Sequence, residues 1–342
     1  MKPNTILFFR LFLLGCLFPI IVSNVVYVGF ATNYTGNVFS RTGFEQQYET
    51  GIYKYRVLGN VLLLETHDLI KHYDLPALAP YSLHILDPAG DPQFYAAYFY
   101  MNTFFLCLAC ALLLVIFGAH RKNTDFMLVD LPVLFLCILM AITQYAVVPY
   151  DTLSYSFLLT AVILIIYDKG SLWNLIGLCI IVVLATLTRE TAAIILSFYF
   201  AVHYQAILAR PNPFQINREQ GTLLILTACF VLTYIGLRWA FGYEQAVYES
   251  FLLPENPHLF YTILGILFYA SIALILFITT AVTGEISVFF LVTFPYVVFI
   301  MLFADPWEIR LWTPLILLLI ILKVRAYQSL AIQETVSQTT SP

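Results

Sequence analysis

Charge is what this chain has least of. Of its 342 residues, 11% are Asp, Glu, Lys or Arg, where a soluble domain carries roughly a quarter. So few charges, with 61% hydrophobic residues, exclude a fold built in water around one core. The chain needs lipid as its solvent. No long basic stretch exists and the net charge is −4, which excludes a nucleic-acid partner. The cysteines lack disulfide or metal spacing: Cys16, Cys107, Cys110, Cys137, Cys179 and Cys229 all fall inside apolar runs. Cys107 and Cys110 form a C-x-x-C without a second pair, and are read as packing residues. No internal repeat is apparent, so nothing announces an inverted-repeat transporter.

What is present is a series of apolar runs. A spanning helix needs about 20 mostly apolar residues. Ten runs qualify, near 11–30, 95–117, 127–148, 152–167, 171–188, 192–208, 221–240, 259–281, 286–303 and 311–325. The fold class is therefore all-α, a polytopic transmembrane bundle of about ten spans, many joined by tight connections that make neighbours antiparallel. Lys2 and Arg10 precede the first run as in a signal peptide. That run is longer than a signal core and no A-x-A site follows, so an uncleaved helix is expected.

Lys and Arg set the orientation. With the N-terminus inside, nine lie on the inner side (Lys2, Arg10, Arg121, Lys122, Lys169, Arg210, Arg218, Lys323, Arg325) and seven on the outer side (Arg41, Lys54, Arg56, Lys71, Arg189, Arg238, Arg310). Four of those seven share one long loop, where the rule is weak, so both termini are expected inside. Residues 1–328 form a single integral membrane domain, with 31–94 as the first extracytoplasmic loop. The polar stretch 329–342 reads as a disordered cytoplasmic tail.

The acids sort the other way, with fourteen of the twenty outside. Solvated loops account for Asp87, Asp91, Glu244, Glu249 and Glu255. Four clusters resist that explanation: the loop stretch from Glu45 and Glu49 through Tyr53 to Arg56; Asp151 in the Pro149-Tyr150-Asp151 hairpin; Arg189-Glu190 in a second hairpin; and Asp305 to Arg310, with Glu308, before the last run. A charge near hydrocarbon is expensive and usually faces a partner or a wet cavity. All four clusters lie on the same side.

Within the loop, Val61, Leu62, Leu64, Leu69, Ile70 and Leu75 recur at helical spacing. This predicts a surface-lying amphipathic helix with His67, Lys71 and His72 on its wet face. The loop also opens on a sequon, Asn33-Tyr34-Thr35.

One span, a long outer loop with acids and a surface helix, and then tightly connected spans resemble the GT-C superfamily. Locally Tyr55-Arg56-Val57-Leu58, Thr188-Arg189-Glu190-Thr191 and Glu308-Ile309-Arg310-Leu311-Trp312-Thr313-Pro314-Leu315 look like motifs of its bacterial members. The resemblance implies a membrane glycosyltransferase using a polyprenyl-phosphate-linked sugar donor and a glycan or lipid acceptor. It implies a first-loop carboxylate as general base, here Glu49 or Glu45. Residues 31–44 contain no acid, unlike family members with an Asp just after the first helix. Arg56, Arg189 and Arg310 suit the leaving phosphate. Tyr48, Tyr53, Tyr150 and Trp307 offer faces for a sugar ring. Asp151 and Glu308 are left to orient arginines, bind hydroxyls or hold a divalent cation (Mg or Mn), the one cofactor in view, and Glu190 is left as a substrate-binding residue beside Arg189.

Compact loops and the absence of a lysine-rich tail favour a bacterial inner membrane with the active face periplasmic. The rival readings are an O-antigen polymerase or ligase, a transporter or flippase of lipid-linked glycans, and a non-catalytic scaffold. A transporter would place polar residues at mid-membrane. Asp130, Gln144, His203 and Arg238 come nearest to that.

Overall fold

The structure is a computed structural model. It describes residues 3–32, 37–118, 126–168, 170–209, 216–242, 263, 265, 267, 269–271 and 284–340, with side chains from residue 5 to residue 328. The sequon and most of the run 259–281 lie outside the described residues, as do Glu244, Glu249 and Glu255.

The described chain is helical and contains no named strand. Its helices are α1 (Pro3–Phe12), α2 (Phe18–Gly29), α3 (Arg41–Tyr48), α4 (Val57–His72), α5 (Leu83–Leu86), α6 (Pro92–Ile116), α7 (Asp130–Ile142), α8 (Asp151–Ile166), α9 (Leu172–Thr188), α10 (Ala193–Leu208), α11 (Arg218–Phe241), α12 (Gly284–Phe303) and α13 (Ile309–Thr340). Among the described residues, six helical stretches are long and apolar enough to cross a membrane, and α8 and α9 are shorter apolar helices. This is a membrane protein.

Alpha-helices suit lipid because every backbone N–H and C=O is satisfied within its own segment. The first span, Thr5–Gly29, runs through α1, a π-helical turn at Leu13–Leu17, and α2. Pro19 sits in the first turn of α2. It has no N–H to give back to the preceding turn, which fits the widened turn there. Gly15 in that turn is buried close to Ala111 of α6. Helix α6 packs on α8, α8 on α9, α9 on α11, and α10 on α12. The large apolar core runs through these helices, with Cys110, Cys137, Leu159, Phe198 and Phe289 fully buried. All six cysteines are free thiols.

Two outcomes differ from the sequence reading. Helix α4 forms over the stretch expected, but His67 is buried, not wet. Gly59, Leu63, His67 and Ile70 recur at helical spacing, and that face turns inward on α6, with the His67 ring 4.9 Å from Phe94. Lys71 and His72 are exposed. Helix α13 also continues to Thr340, across most of the stretch expected to be a disordered tail.

Polar contacts gather at the two ends of the bundle. At one end Arg10 pairs with Asp130 at 2.8 Å, Arg218 pairs with Asp168, and Gln328 donates to the Phe117 carbonyl. At the other end Thr32 bridges Ala146, and the hairpins at 149–151 and 189–192 meet the first loop and the start of α13. At that second end lies a buried network in which Asn102 donates to the Tyr27 hydroxyl at 2.7 Å and to the Val148 carbonyl at 3.0 Å, and accepts from Thr152 at 2.7 Å. Tyr27 in turn donates to Gln144 at 3.2 Å.

Candidate functional site

Tyr150 is the hub of the second end. It is 2% exposed, in the connection that enters α8. Gly59 lets α4 approach it: a Cβ there would lie 3.0 Å from the Tyr150 Cβ and 3.1 Å from the Pro149 carbonyl oxygen. The Arg56 guanidinium lies 4.3 Å from the Tyr150 ring centre and 5.7 Å from that of Tyr53. A cation over an aromatic face is held by the ring quadrupole, more strongly when desolvated. Burial pushes the Tyr150 hydroxyl well above the usual phenol range, so it stays protonated, although the nearby Arg56 opposes the shift.

Asp151 follows directly and is fully buried. It accepts from Arg189 Nη1 at 2.5 Å. Neither partner would tolerate burial alone, so each fixes the other. Arg189 has extended backbone (φ −163°, ψ 143°) and starts the tight turn Glu190–Ala192. Successive side chains of an extended segment point to opposite sides. Arg189 therefore turns back to Asp151, while Glu190 reaches Arg56 Nη2 at 3.4 Å.

Glu308 accepts from Arg310 Nε at 2.8 Å, with both side chains buried. Arg310 lines a small crevice with Tyr48, Tyr53, Asn60 and Tyr150. All four clusters singled out in the sequence thus contribute to one end of the bundle.

Beside this hub opens a cavity of about 620 Å³. Its polar end carries Arg56, Arg189, Glu190, Tyr55 and Arg238, and its wall is apolar, including Ile194, Val292, Phe299 and Ile300. Among the described residues, three arginines stand against Glu190 on the lining and Asp151 behind Arg189, which leaves one net positive charge at this end. Arg238 sits 3.5 Å from the Tyr234 ring centre and 4.6 Å from that of Tyr55. The Tyr55 hydroxyl donates to the Gly242 carbonyl at 2.7 Å, tying the first loop to the end of α11.

The first-loop acids stand elsewhere. Glu45 pairs with Arg41 at 3.0 Å at the surface, and Arg41 also pairs with Asp68. Glu49 is exposed at the end of α3. Neither lines the cavity or the crevice. The polar residues weighed for a transport path are also placed: Asp130 on Arg10, Gln144 on Tyr27, and His203 with its ring 4.6 Å from that of Tyr199.

Sequence reasoning missed Arg238 as a site residue. Its signal is an arginine near the end of an apolar helix with Tyr234 one turn before it and Trp239 beside it. Among the described residues, no three His, Cys, Asp or Glu side chains gather so as to hold a metal ion. Comparison with family models, curated proteins and solved structures finds no match for this chain.

Proposed function

We propose that this protein is a GT-C-like membrane glycosyltransferase. It moves a sugar from a lipid-phosphate-linked donor to a glycan or lipid acceptor. In this reading the bundle has about ten spans with both termini inside, and the arginine-rich end faces outward, in the periplasm of a bacterial inner membrane.

One observation carries the reading: the 620 Å³ cavity joins a cationic end to an apolar wall. That combination suits an amphiphile with an anionic head and a long hydrocarbon tail. A phosphodiester donor bears one negative charge, and the departing lipid phosphate gains a second as the sugar leaves. Fixed cations that meet this growing charge favour the transition state over the ground state. Arg56 and Arg189 are held by Tyr150 and Asp151, so little reorganisation is needed. Their planar forks match phosphate oxygens.

The test is the purified protein in vesicles containing undecaprenyl-phosphate-linked sugars labelled in the sugar. Label should leave the lipid phosphate, and Arg238→Ala should weaken donor binding by about ten- to a hundredfold, the range for a hydrogen bond to a charged group. Movement of intact donor across the bilayer without loss of its sugar would replace this reading with a flippase.

A further inference from the structure

We propose that Glu190, not a first-loop glutamate, is the general base that activates the acceptor hydroxyl. The inference rests on the glycosyl-transfer reading and assigns a role within the same cavity.

Among the described residues, geometry leaves one acid on the cavity lining. Glu45 is held by Arg41 at the surface, and Glu49 is exposed away from the cavity. Asp151 is fully buried and bonded to Arg189, and Glu308 is buried and bonded to Arg310. Glu190 lines the cavity, and its side chain is 29% exposed. Its ion pair with Arg56, at 3.4 Å, is longer than the 2.5 Å and 2.8 Å contacts of the two buried pairs. A general base must be fixed yet still have room to take a proton. The backbone of Glu190–Ala192 is held by the Ala192 N–H donating to the Arg189 carbonyl at 3.1 Å. Arg189, bonded to Asp151, also contributes to the lining of the same cavity.

The step balances without a further reactant. The acceptor hydroxyl gives its proton to the Glu190 carboxylate. Its oxygen forms a new bond to the anomeric carbon of the donor sugar. The bond from that carbon to the phosphate oxygen breaks, and the electron pair leaves on the lipid phosphate beside Arg189 and Arg238.

The experiment is label release from undecaprenyl-phosphate-linked sugars in vesicles, comparing the wild type with Glu190→Gln, Glu190→Asp and the double variant Glu45→Gln/Glu49→Gln. Removal of a general base lowers kcat by about a hundredfold or more. Glu190→Gln should show that loss with donor KM within about threefold, and should lack the acid limb of the wild-type pH profile. A purely structural role would not remove that limb. Glu190→Asp should keep the limb at reduced kcat, and it decides the matter should Glu190→Gln fail to fold. The double variant should transfer normally. Glu190 variants at wild-type kcat, or loss of transfer in the double variant alone, overturn the assignment. A wild-type protein that releases no label overturns the glycosyl-transfer reading itself.

Discussion

The first loop and the hairpin cavity use the same two residue types under opposite conditions. Arg41 meets Glu45 and Asp68 with side chains 38%, 45% and 51% exposed. Arg189 meets Asp151 with side chains 4% and 0% exposed. In water the first pairing gains little, because solvent already stabilises each charge and salt screens what remains. In the interior the second pairing is obligatory, because either charge alone would be stranded. An acid in a wet loop is thus weak support for a site, however many accompany it. An acid wedged where a hairpin enters the bundle holds an arginine at a defined place, and here that place is a cavity wall.

Breaking the buried pair should have the largest effect. Asp151→Ala leaves the Arg189 guanidinium buried without its carboxylate. The expected loss is about 3–5 kcal/mol, read as a fall in the unfolding midpoint in detergent. Replacing both partners together, as Asp151→Ala with Arg189→Met, should recover much of that stability without restoring donor binding. A single variant that unfolds like the wild type would remove the distinction between the two regions.

The next effect comes from the seam where the regions touch. Gly59→Leu forces a side chain against Tyr150 and Pro149, where even a Cβ is crowded. Overpacking of this kind costs about 1–3 kcal/mol. It should also push α4 off the hairpin and disturb the Arg56–Tyr150 stack. Donor affinity should therefore fall along with the unfolding midpoint. Unchanged affinity would show that the loop and the cavity are energetically separate.

The membrane character was legible because apolar runs are a local signal. The runs at 95–117 and 221–240 became α6 and α11 with modest shifts of boundary. The four polar clusters were legible because charge is so scarce here that each occurrence stands out. What could not be read was pairing. Arg189 and Asp151 are 38 residues apart, and Arg56 and Glu190 are 134 apart. Nothing local in Glu45 or Glu190 tells which one meets an arginine on the surface and which in a cavity. The same limit hid Asn102, whose side chain joins Tyr27 to Thr152 across three helices. It also misplaced His67, because a face that alternates polar and apolar residues does not declare which side is covered.

His67 sharpens the comparison from within the first loop. It is buried although its neighbours Asp68, Asp91, Arg41 and Lys71 are charged. Burial holds its imidazole below the ordinary value of 6.5, and Lys71 and Arg41 push the same way against Asp91 and Asp68. Between the two values the unfolded chain binds a proton that the folded protein does not. Stability from this group is therefore full above 6.5 and falls as pH drops below it. His67→Leu should flatten the fall in unfolding midpoint between pH 7.5 and 5.5. Equal slopes in the two proteins would assign the dependence to other groups.

The smallest effect belongs to the surface pair. Glu45→Gln removes one of the two carboxylates around Arg41, and Asp68 remains. Exposed pairs of this kind are worth roughly 0.2–1 kcal/mol, and the surviving partner shares the load, so the change should lie at the low end. The two carboxylates raise the Arg41 guanidinium above its usual value, Glu45 foremost, against an opposing effect of burial. The residual effect is electrostatic and should vanish in high salt. Unfolding midpoints of wild type and Glu45→Gln should coincide in 1 M salt, where the Debye length is about 3 Å. A large loss that persists there would mean the first loop is anchored through Glu45, and the contrast between a solvated loop and a committed cavity would have to be drawn elsewhere.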